Sequence, residues 1–523
     1  MHRGIEPRIP IRRAAFPRTA ALLLAAAAMP MGAAFAQEAP AREAPATLTL
    51  EEAIALARRS NPNFLAQAND ESAADWQVRQ AWGALLPSAT ASMGFDYQAA
   101  GVARLGILTG SDLGLGQTPA YYSSGYTLGL GYEIGAASLF RVGEARAARR
   151  SAEARTEAAA FALRAEVTRQ YLAARRARDG IELARRELKS AAENLALAEA
   201  RVRVGAAPPL EAKQAEVEHG RAEVALLQAE SDAEAEVFRL MELLGVELDR
   251  EIELTSEFEI FEPRWTLEEL TAMAATSHPG LRAMRAAEEA SRAAVRGAKS
   301  AYLPTIRVSA GWSGFTRKAG DPDYLLAQAR RSAQSSIESC ELMNRISAGL
   351  SSPLPDRPAD CAALALTPAD EAAILAGNDV FPFDFTRQPF TAGISVSLPV
   401  FQGFARRLRV ETAQVAADDA RHARRAEELR RRTEVATALR ALQTAYRTVG
   451  LEQRNAAAAE EQWRLARERY RVGAGSFLEL TQAEAQWTRA NRDALAAVYA
   501  FHEALAALES AVGQPLRPGS GGS

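Results

Sequence analysis

The chain has 523 residues, of which 48% are apolar and 24% charged, with a formal net charge of −3. That balance is ordinary for a folded protein, and it leaves no electrostatic footprint for nucleic acid, so no nucleic-acid partner is expected. Beyond residue 36 no apolar run reaches the length a membrane-spanning helix needs, so any membrane contact must use strands.

Arg3, Arg8, Arg12, Arg13 and Arg18 precede an apolar run from Ala20 to Ala28, and Ala34-Phe35-Ala36 supplies a small-x-small cleavage site. The expectation is a secretory signal over 1–36, a mature start at Gln37 and a short extension over 37–46. The residues around Arg12-Arg13 match twin-arginine export poorly, which favours the general route. No cysteine stands at the cleavage point, so no lipoprotein anchor is expected.

The rest of the chain repeats itself. Leu50, Glu51, Glu52, Ser60, Pro62, Leu86 and Pro87 recur as Leu267, Glu268, Glu269, Ser277, Pro279, Leu303 and Pro304, always 217 positions later. Further on, Arg201 to Glu216 returns as Arg469 to Glu484 at an offset of 268, so the second copy carries 51 more residues than the first. A period this long is a duplicated architecture, not a solenoid of short repeats. The halves are read as 47–245 and 265–512, joined by a linker over 246–264, with an insertion at about 317–388 and a disordered tail over 513–523.

Each half contains two stretches that alternate apolar and polar residues. Ala89 to Tyr97 and Tyr126 to Ile134 do so in the first, Ile306 to Trp312 and Phe390 to Leu398 in the second. Period-two alternation places one face of each strand in an apolar environment. A soluble sheet resting on a core satisfies that pattern. Small hydrophilic residues on the other face, aromatic residues at the strand ends (Tyr97, Tyr126, Trp312, Phe390) and the lack of a separate apolar layer favour a membrane-spanning sheet instead. Four strands cannot close in lipid, where open edges are not tolerated, so several copies must combine.

From Arg141 to about Val204, and again from about Phe404 to Val472, proline is absent and glycine rare. Each run would extend roughly 90 to 100 Å as a helix. Val167, Ala174, Ile181, Leu188, Leu195 and Val202 recur every seven residues, and the same phase returns in Val435, Leu442, Val449, Ala456, Trp463 and Tyr470. Heptads imply knobs-into-holes packing. Each long helix ends at Val-Gly-Ala and is followed by a returning helix, Leu210 to Leu244 and Phe477 to Val512, which predicts two antiparallel helical hairpins. The fold class expected is therefore mostly α with a β part: two long helical hairpins plus four strands.

The only cysteines, Cys340 and Cys361, lie 21 apart within the insertion and read as a disulfide in an exported chain. Free thiols or a metal site are the alternatives, and the absence of histidine between Phe315 and Pro389 argues against metal. Catalytic signatures are missing: no HExxH, no glycine-rich phosphate loop, and His219, His278, His422 and His502 scattered in helical patterns where a surface position is the default. Neither an enzyme nor a bound cofactor is expected. Trp463 and Tyr470 are read as packing residues rather than a ligand-stacking pair.

Taken in order, Leu48 to Ala53, Asn61-Pro62 and His278-Pro279, Leu86-Pro87 and Leu303-Pro304, and the two Arg-x-x-Val-Gly-x turns resemble the markers of the TolC family of outer-membrane efflux proteins. The resemblance implies a homotrimer whose twelve strands form an outer-membrane barrel, continued by a helical barrel through the periplasm. It implies a passive exit duct for an efflux pump or a type I secretion system. The expected partners are outer-membrane lipid, a periplasmic adaptor, and an inner-membrane pump or secretion ATPase. A periplasmic coiled-coil adaptor is the alternative reading. On this resemblance Val204, Gly205, Ala206, Val472, Gly473 and Ala474 become the adaptor-docking tips. Glu479 becomes a carboxylate gate, with Glu211 its repeat partner and Gln482 standing where the family carries a second acidic residue.

Overall fold

The computed structural model describes residues 47–102, 104–105, 108–109, 119–247, 252–352 and 360–517. The expected signal and extension, over 1–46, lie outside the described residues. The first repeat opens with β1 (Thr47–Leu48), α1 (Leu50–Ser60), α2 (Pro62–Gly83) and β2 (Ser88–Gln98). A small hairpin, β3 (Arg104–Leu105) with β4 (Leu108–Thr109), precedes β5 (Tyr121–Gly135). Then come α3 (Ala136–Arg203) and α4 (Pro209–Leu244), and β6 (Glu253–Leu254) pairs in parallel with β1.

The second repeat follows as α5 (Leu267–Ser277), α6 (Pro279–Ser300) and β7 (Thr305–Ala319). Its insertion contributes α7 (Pro322–Ala348), a short 3-10 turn and α8 (Pro368–Asn378). The chain then returns through β8 (Thr386–Arg387), β9 (Thr391–Ser397), α9 (Ala405–Arg471) and α10 (Phe477–Val512).

The duplication is kept to the residue. α1 and α5 both have 11 residues, α2 and α6 both have 22, and α4 and α10 both have 36. Local chemistry explains the matching boundaries. Thr49 and Thr266 each accept from the backbone of a glutamate three residues on, Glu52 and Glu269, whose carboxylates reach back to the threonine N–H. These reciprocal capping boxes satisfy two orphan donors at each helix start. Asn61 and His278 then cap the next helix, with Pro62 and Pro279 in its first turn, where a missing N–H costs nothing. His278 is thus buried, its Nδ1 accepting from Gly280 N at 3.0 Å.

The long helices run 68 residues in α3 and 67 in α9, roughly 100 Å each. Every member of both heptad sets is buried or half-buried. Two cores hold the helices together. In the first, α1 packs on α3 and α4 through Ile54, Val167, Tyr171, Leu240 and Leu244; in the second, Leu270, Val435, Leu442, Phe501 and Leu508 do the equivalent. The linker is part of this packing, because Phe258 seats on the first core and Phe261 with Trp265 on the second. Among the described residues α10 is the one helix long and apolar enough to cross a membrane, but Tyr499, Phe501, Leu505 and Val512 bury its apolar side in the hairpin.

The sheet is antiparallel in the order β2-β5-β7, with β8 and β9 lying end to end along the far edge of β7. Its strands depart from the expected lengths. β5 starts at Tyr121 rather than Tyr126, β7 continues to Ala319, and the fourth strand is broken between Arg387 and Thr391 around Pro389, which has no N–H to give the ladder. The insertion therefore occupies 320–385, not 317–388. The tail also differs from expectation: Gly513 closes α10 in a left-handed turn, and Leu516 folds back onto the second core while its N–H donates to Glu509 at 2.8 Å. Residues 518–523 lie outside the described residues.

Candidate functional site

Both hairpin tips are built by the same backbone turn. Gly205 takes φ +73° and Gly473 φ +81°. At the first tip Gly205 N donates to Val202 O at 3.0 Å and Ala206 N to Arg201 O at 2.8 Å; the second repeats the pattern with Tyr470 O at 3.1 Å and Arg469 O at 2.8 Å. Helix termination alone accounts for the two glycines. The side chains around them are less ordinary: Val204, Leu210 and their repeat partners Val472 and Leu478 are all exposed, while Ala206 and Ala474 complete small, smooth tips.

The two acidic positions at the tips are not equivalent. Glu211 accepts a 2.8 Å hydrogen bond from the hydroxyl of Tyr470, whose ring is fully buried, so the bond joins α4 of the first hairpin to α9 of the second. Arg201 reinforces the junction, stacking over the Tyr470 ring at 4.3 Å and donating to the Tyr470 carbonyl. Burial and the adjacent Glu211 push the Tyr470 hydroxyl up to about 12. Glu479 has no such partner, because the residue that corresponds to Tyr470 in the first repeat is Val202. Glu479 is exposed and reaches only Arg469, at 3.7 Å, whereas Arg471 is taken by Glu468. Gln482, three residues further along α10, is exposed on the same side.

Above the tips, α3 of one hairpin meets α10 of the other along a polar seam. Glu484 accepts from Ser190 Oγ at 2.6 Å and Asn194 Nδ2 at 2.8 Å; Arg492 grips the buried Glu187 with two bonds of 2.5 and 3.1 Å; Tyr499 donates to Asp179. Burial raises Glu484 above the usual carboxylate range, against the opposing pull of Ser190 and Asn194. Sequence reasoning missed this seam because it followed apolar heptads. The signal was present in Glu187, Asn194 and Arg201, which share the seven-residue spacing with polar side chains. Trp463 stacks on Trp487 at 4.7 Å, within the second hairpin.

Two histidines expected at the surface are buried. His502 is 2% exposed among Phe258 and Phe501, and burial together with Arg517 lowers it to about 4. His278 caps α6, as described above, and burial with Arg431 lowers it too. Helical periodicity marks a face only where the helix has a single neighbour, and α10 has several. No cluster of metal-ligating side chains occurs among the described residues.

At the other end of the long helices the sheet presents one face of Met93, Phe95, Leu128, Leu130, Ile306, Trp312, Ile394 and Val396, all exposed, and one mostly of serine, glycine and threonine that also carries the ion pair of Arg307 with Glu133. Among the described residues, β2 and the β8–β9 edge have backbone groups with no strand beside them. In the insertion, Cys340 and Cys361 are joined by a disulfide, with Cα atoms 5.7 Å apart.

The chain thus combines an apolar-faced sheet with two open edges and, at one end of it, helices about 100 Å long. The sequence matches the outer membrane efflux protein family over residues 53–246 and 373–514, and the chain belongs to that family. Its general role is that of an efflux duct in the outer membrane, in a family of channels rather than enzymes. The fold is similar to the Campylobacter jejuni outer-membrane channel CmeC (TM-score 0.66, 16% identity, 89% of this chain and 85% of that one). It is similar to the open state of the Neisseria gonorrhoeae channel MtrE (TM-score 0.62, 19% identity, 89% of each chain). A membrane protein from Pseudomonas aeruginosa aligns over 91% of this chain and 97% of that one, at 20% identity and TM-score 0.64. No curated protein matches the sequence.

Proposed function

We propose that three copies of the chain close into a twelve-stranded barrel continued by a helical duct, which serves as the passive outer-membrane exit of a tripartite efflux pump or a type I secretion system. The sheet carries the reading. Among the described residues its apolar face has no covering layer over most of its height and its two edges pair with no strand, so closure in lipid calls for other copies. From Ile306 to Gly314 the apolar face of β7 rises roughly 20 Å when the strand is tilted by about 40°, which spans most of the roughly 25 Å lipid-facing band of a barrel.

Both strand pairs join helices at the same end, so their other connections lie outside the cell and the hairpin tips point toward the periplasm. The exposed Val204, Leu210, Val472 and Leu478 then face a periplasmic adaptor, with Gly205 and Gly473 keeping the approach open. That adaptor couples the duct to an inner-membrane pump or secretion ATPase, which selects drugs, other small molecules or proteins for export. Exposed Glu479 lies at the narrow end, where three copies form a carboxylate ring.

Recording full-length protein in planar bilayers tests the reading: discrete conductance steps from a species of three chains are expected, and Glu479→Gln should lower cation selectivity. Monomers that give no steps would refute the duct. Unchanged selectivity would remove Glu479 from the pore.

A further inference from the structure

The segment 380–385 lies across the wall of the sheet, and strand register decides which side it covers. Phe381 meets Phe95 at 6.4 Å and Tyr122 at 5.8 Å, Phe383 meets Phe95 at 6.2 Å, and Phe385 meets Tyr126 at 5.0 Å. Phe95, Tyr122 and Tyr126 share the face that carries Leu128, Leu130 and Trp312 nearer the helices. The insertion is therefore fastened to the outer, lipid-facing side of the wall.

The sequence is adapted to that cover. Apolar alternation on this face fails at Ser124 and Thr316, which are only 2% and 1% exposed. Their hydroxyls lie 2.8 Å apart, and Ser124 Oγ donates to the Pro382 carbonyl. Facing lipid, that pair would be costly; under the segment it is satisfied. Asn378 adds a second anchor, accepting from Ala319 N at 2.7 Å and donating to Ala319 O at 3.0 Å, and Lys318 pairs with Asp379 at 2.8 Å.

The strap begins where the apolar band ends. Arg387 pairs with Gly314 in the ladder, so it stands on the lipid-facing side at the upper limit of that band. Arg387 is exposed and makes no ion pair or side-chain hydrogen bond among the described residues. Around the same level Trp312 and Phe390 lie 4.8 Å apart, and both are exposed, as is Phe383 on the strap. An exposed guanidinium on the same face as exposed rings at a membrane boundary is suited to a phosphorylated headgroup: the planar fork takes phosphate oxygens and the rings take the apolar shoulder.

We propose that this outer-wall shelf binds the phosphorylated glycolipid of the outer leaflet, with Arg387 on the phosphate and Trp312, Phe383 and Phe390 against the lipid. The choice of leaflet rests on the orientation proposed above. The segment 380–385 of the insertion is thus a lipid-contacting bracket on the outer wall.

The test uses the full chain in phosphatidylcholine nanodiscs doped with a lipid A-type diphosphoryl glycolipid, with phosphatidylglycerol, or with the dephosphorylated glycolipid. Lipid retained per chain is read by mass spectrometry. The protein should retain the phosphorylated glycolipid about five-fold over the other two, and Arg387→Gln should erase that preference, the effect expected of one surface cation. Equal retention of all three lipids, or of phosphatidylglycerol and glycolipid, would overturn the assignment. A nitroxide at position 383 provides a second readout, expected to collide with lipid-dissolved oxygen and not with an aqueous nickel chelate; the reverse would place the strap above the membrane and overturn it. Planar-bilayer conductance separates the two levels: a conducting protein without lipid preference defeats the shelf alone, and a non-conducting one defeats the duct.

Discussion

Tyr470→Phe removes one hydroxyl from the junction of the two hairpins and leaves the rest in place. The ring stays buried and Arg201 keeps both its stacking contact and its bond to the backbone carbonyl, so the substitution isolates the bond to Glu211. A hydrogen bond to a charged acceptor contributes about 1.5–3 kcal/mol. Half-buried Glu211 regains water on losing its partner, which sets the cost near 2 kcal/mol, a factor of about 30 in the equilibrium between joined and parted tips. Amide hydrogen exchange over 199–216 and 467–484 should quicken by that factor, and single-channel conductance should rise. The pH dependence has a definite sign. With the hydroxyl pushed up to about 12 from an ordinary 10, its contribution is full below pH 10 and is lost as pH rises through about 12; Tyr470→Phe should abolish that alkaline step. Unchanged tip exchange and conductance in Tyr470→Phe would show that the bond does not hold the tips.

His502, lowered to about 4, contributes stability that is present above its unfolded value near 6.5 and is lost as pH falls through 4; thermal melts between those limits should show a loss of up to about 3 kcal/mol that His502→Gln lacks. Glu484, raised by burial, works in the opposite direction, since its ionisation at neutral pH opposes folding. Glu484→Gln should therefore raise the melting temperature at pH 7, with the gain vanishing below the ordinary glutamate range; the Asn194 Oδ1 atom, which has no hydrogen-bond partner, is available to the new amide after a flip. At the tips, bulky residues at both Gly205 and Gly473 add strain at positive φ but meet open space at the first and only the Arg201 guanidinium, 3.8 Å away, at the second, so the chains should still assemble while export and adaptor cross-linking fall. Normal export by such a variant would remove the glycines from the docking surface.

The regular parts of the fold were legible because each rests on a local rule. Period-two strands, seven-residue heptads and the Val-Gly-Ala helix ends each need only a short window. The features that escaped depend on partners distant in the chain. Nothing near Glu211 says that Tyr470 will reach it, and the offset of 268 suggested equivalence with Glu479, which the valine at 202 rules out. Ser124 and Thr316 lie beyond the alternating stretches that the sequence marks, and their burial follows only from the segment at 380–385 that covers them. His278 resembled a surface histidine because its role as a cap replaces the asparagine of the first repeat by a different side chain with the same acceptor.

The two repeats leave the sheet in different ways. β5 ends at Gly135 and α3 begins at Ala136, so strand and helix form a single stiff post. In the second repeat, residues 398–404 intervene between β9 and α9, and Gly403 and Phe404 both take left-handed conformations, with φ of 54° and 66°. That break is an elbow at the root of a lever about 100 Å long, and a rotation of only about 5° there carries the far end through roughly 9 Å. One leg of the chain is thereby a fixed column and the other a boom hung from a joint.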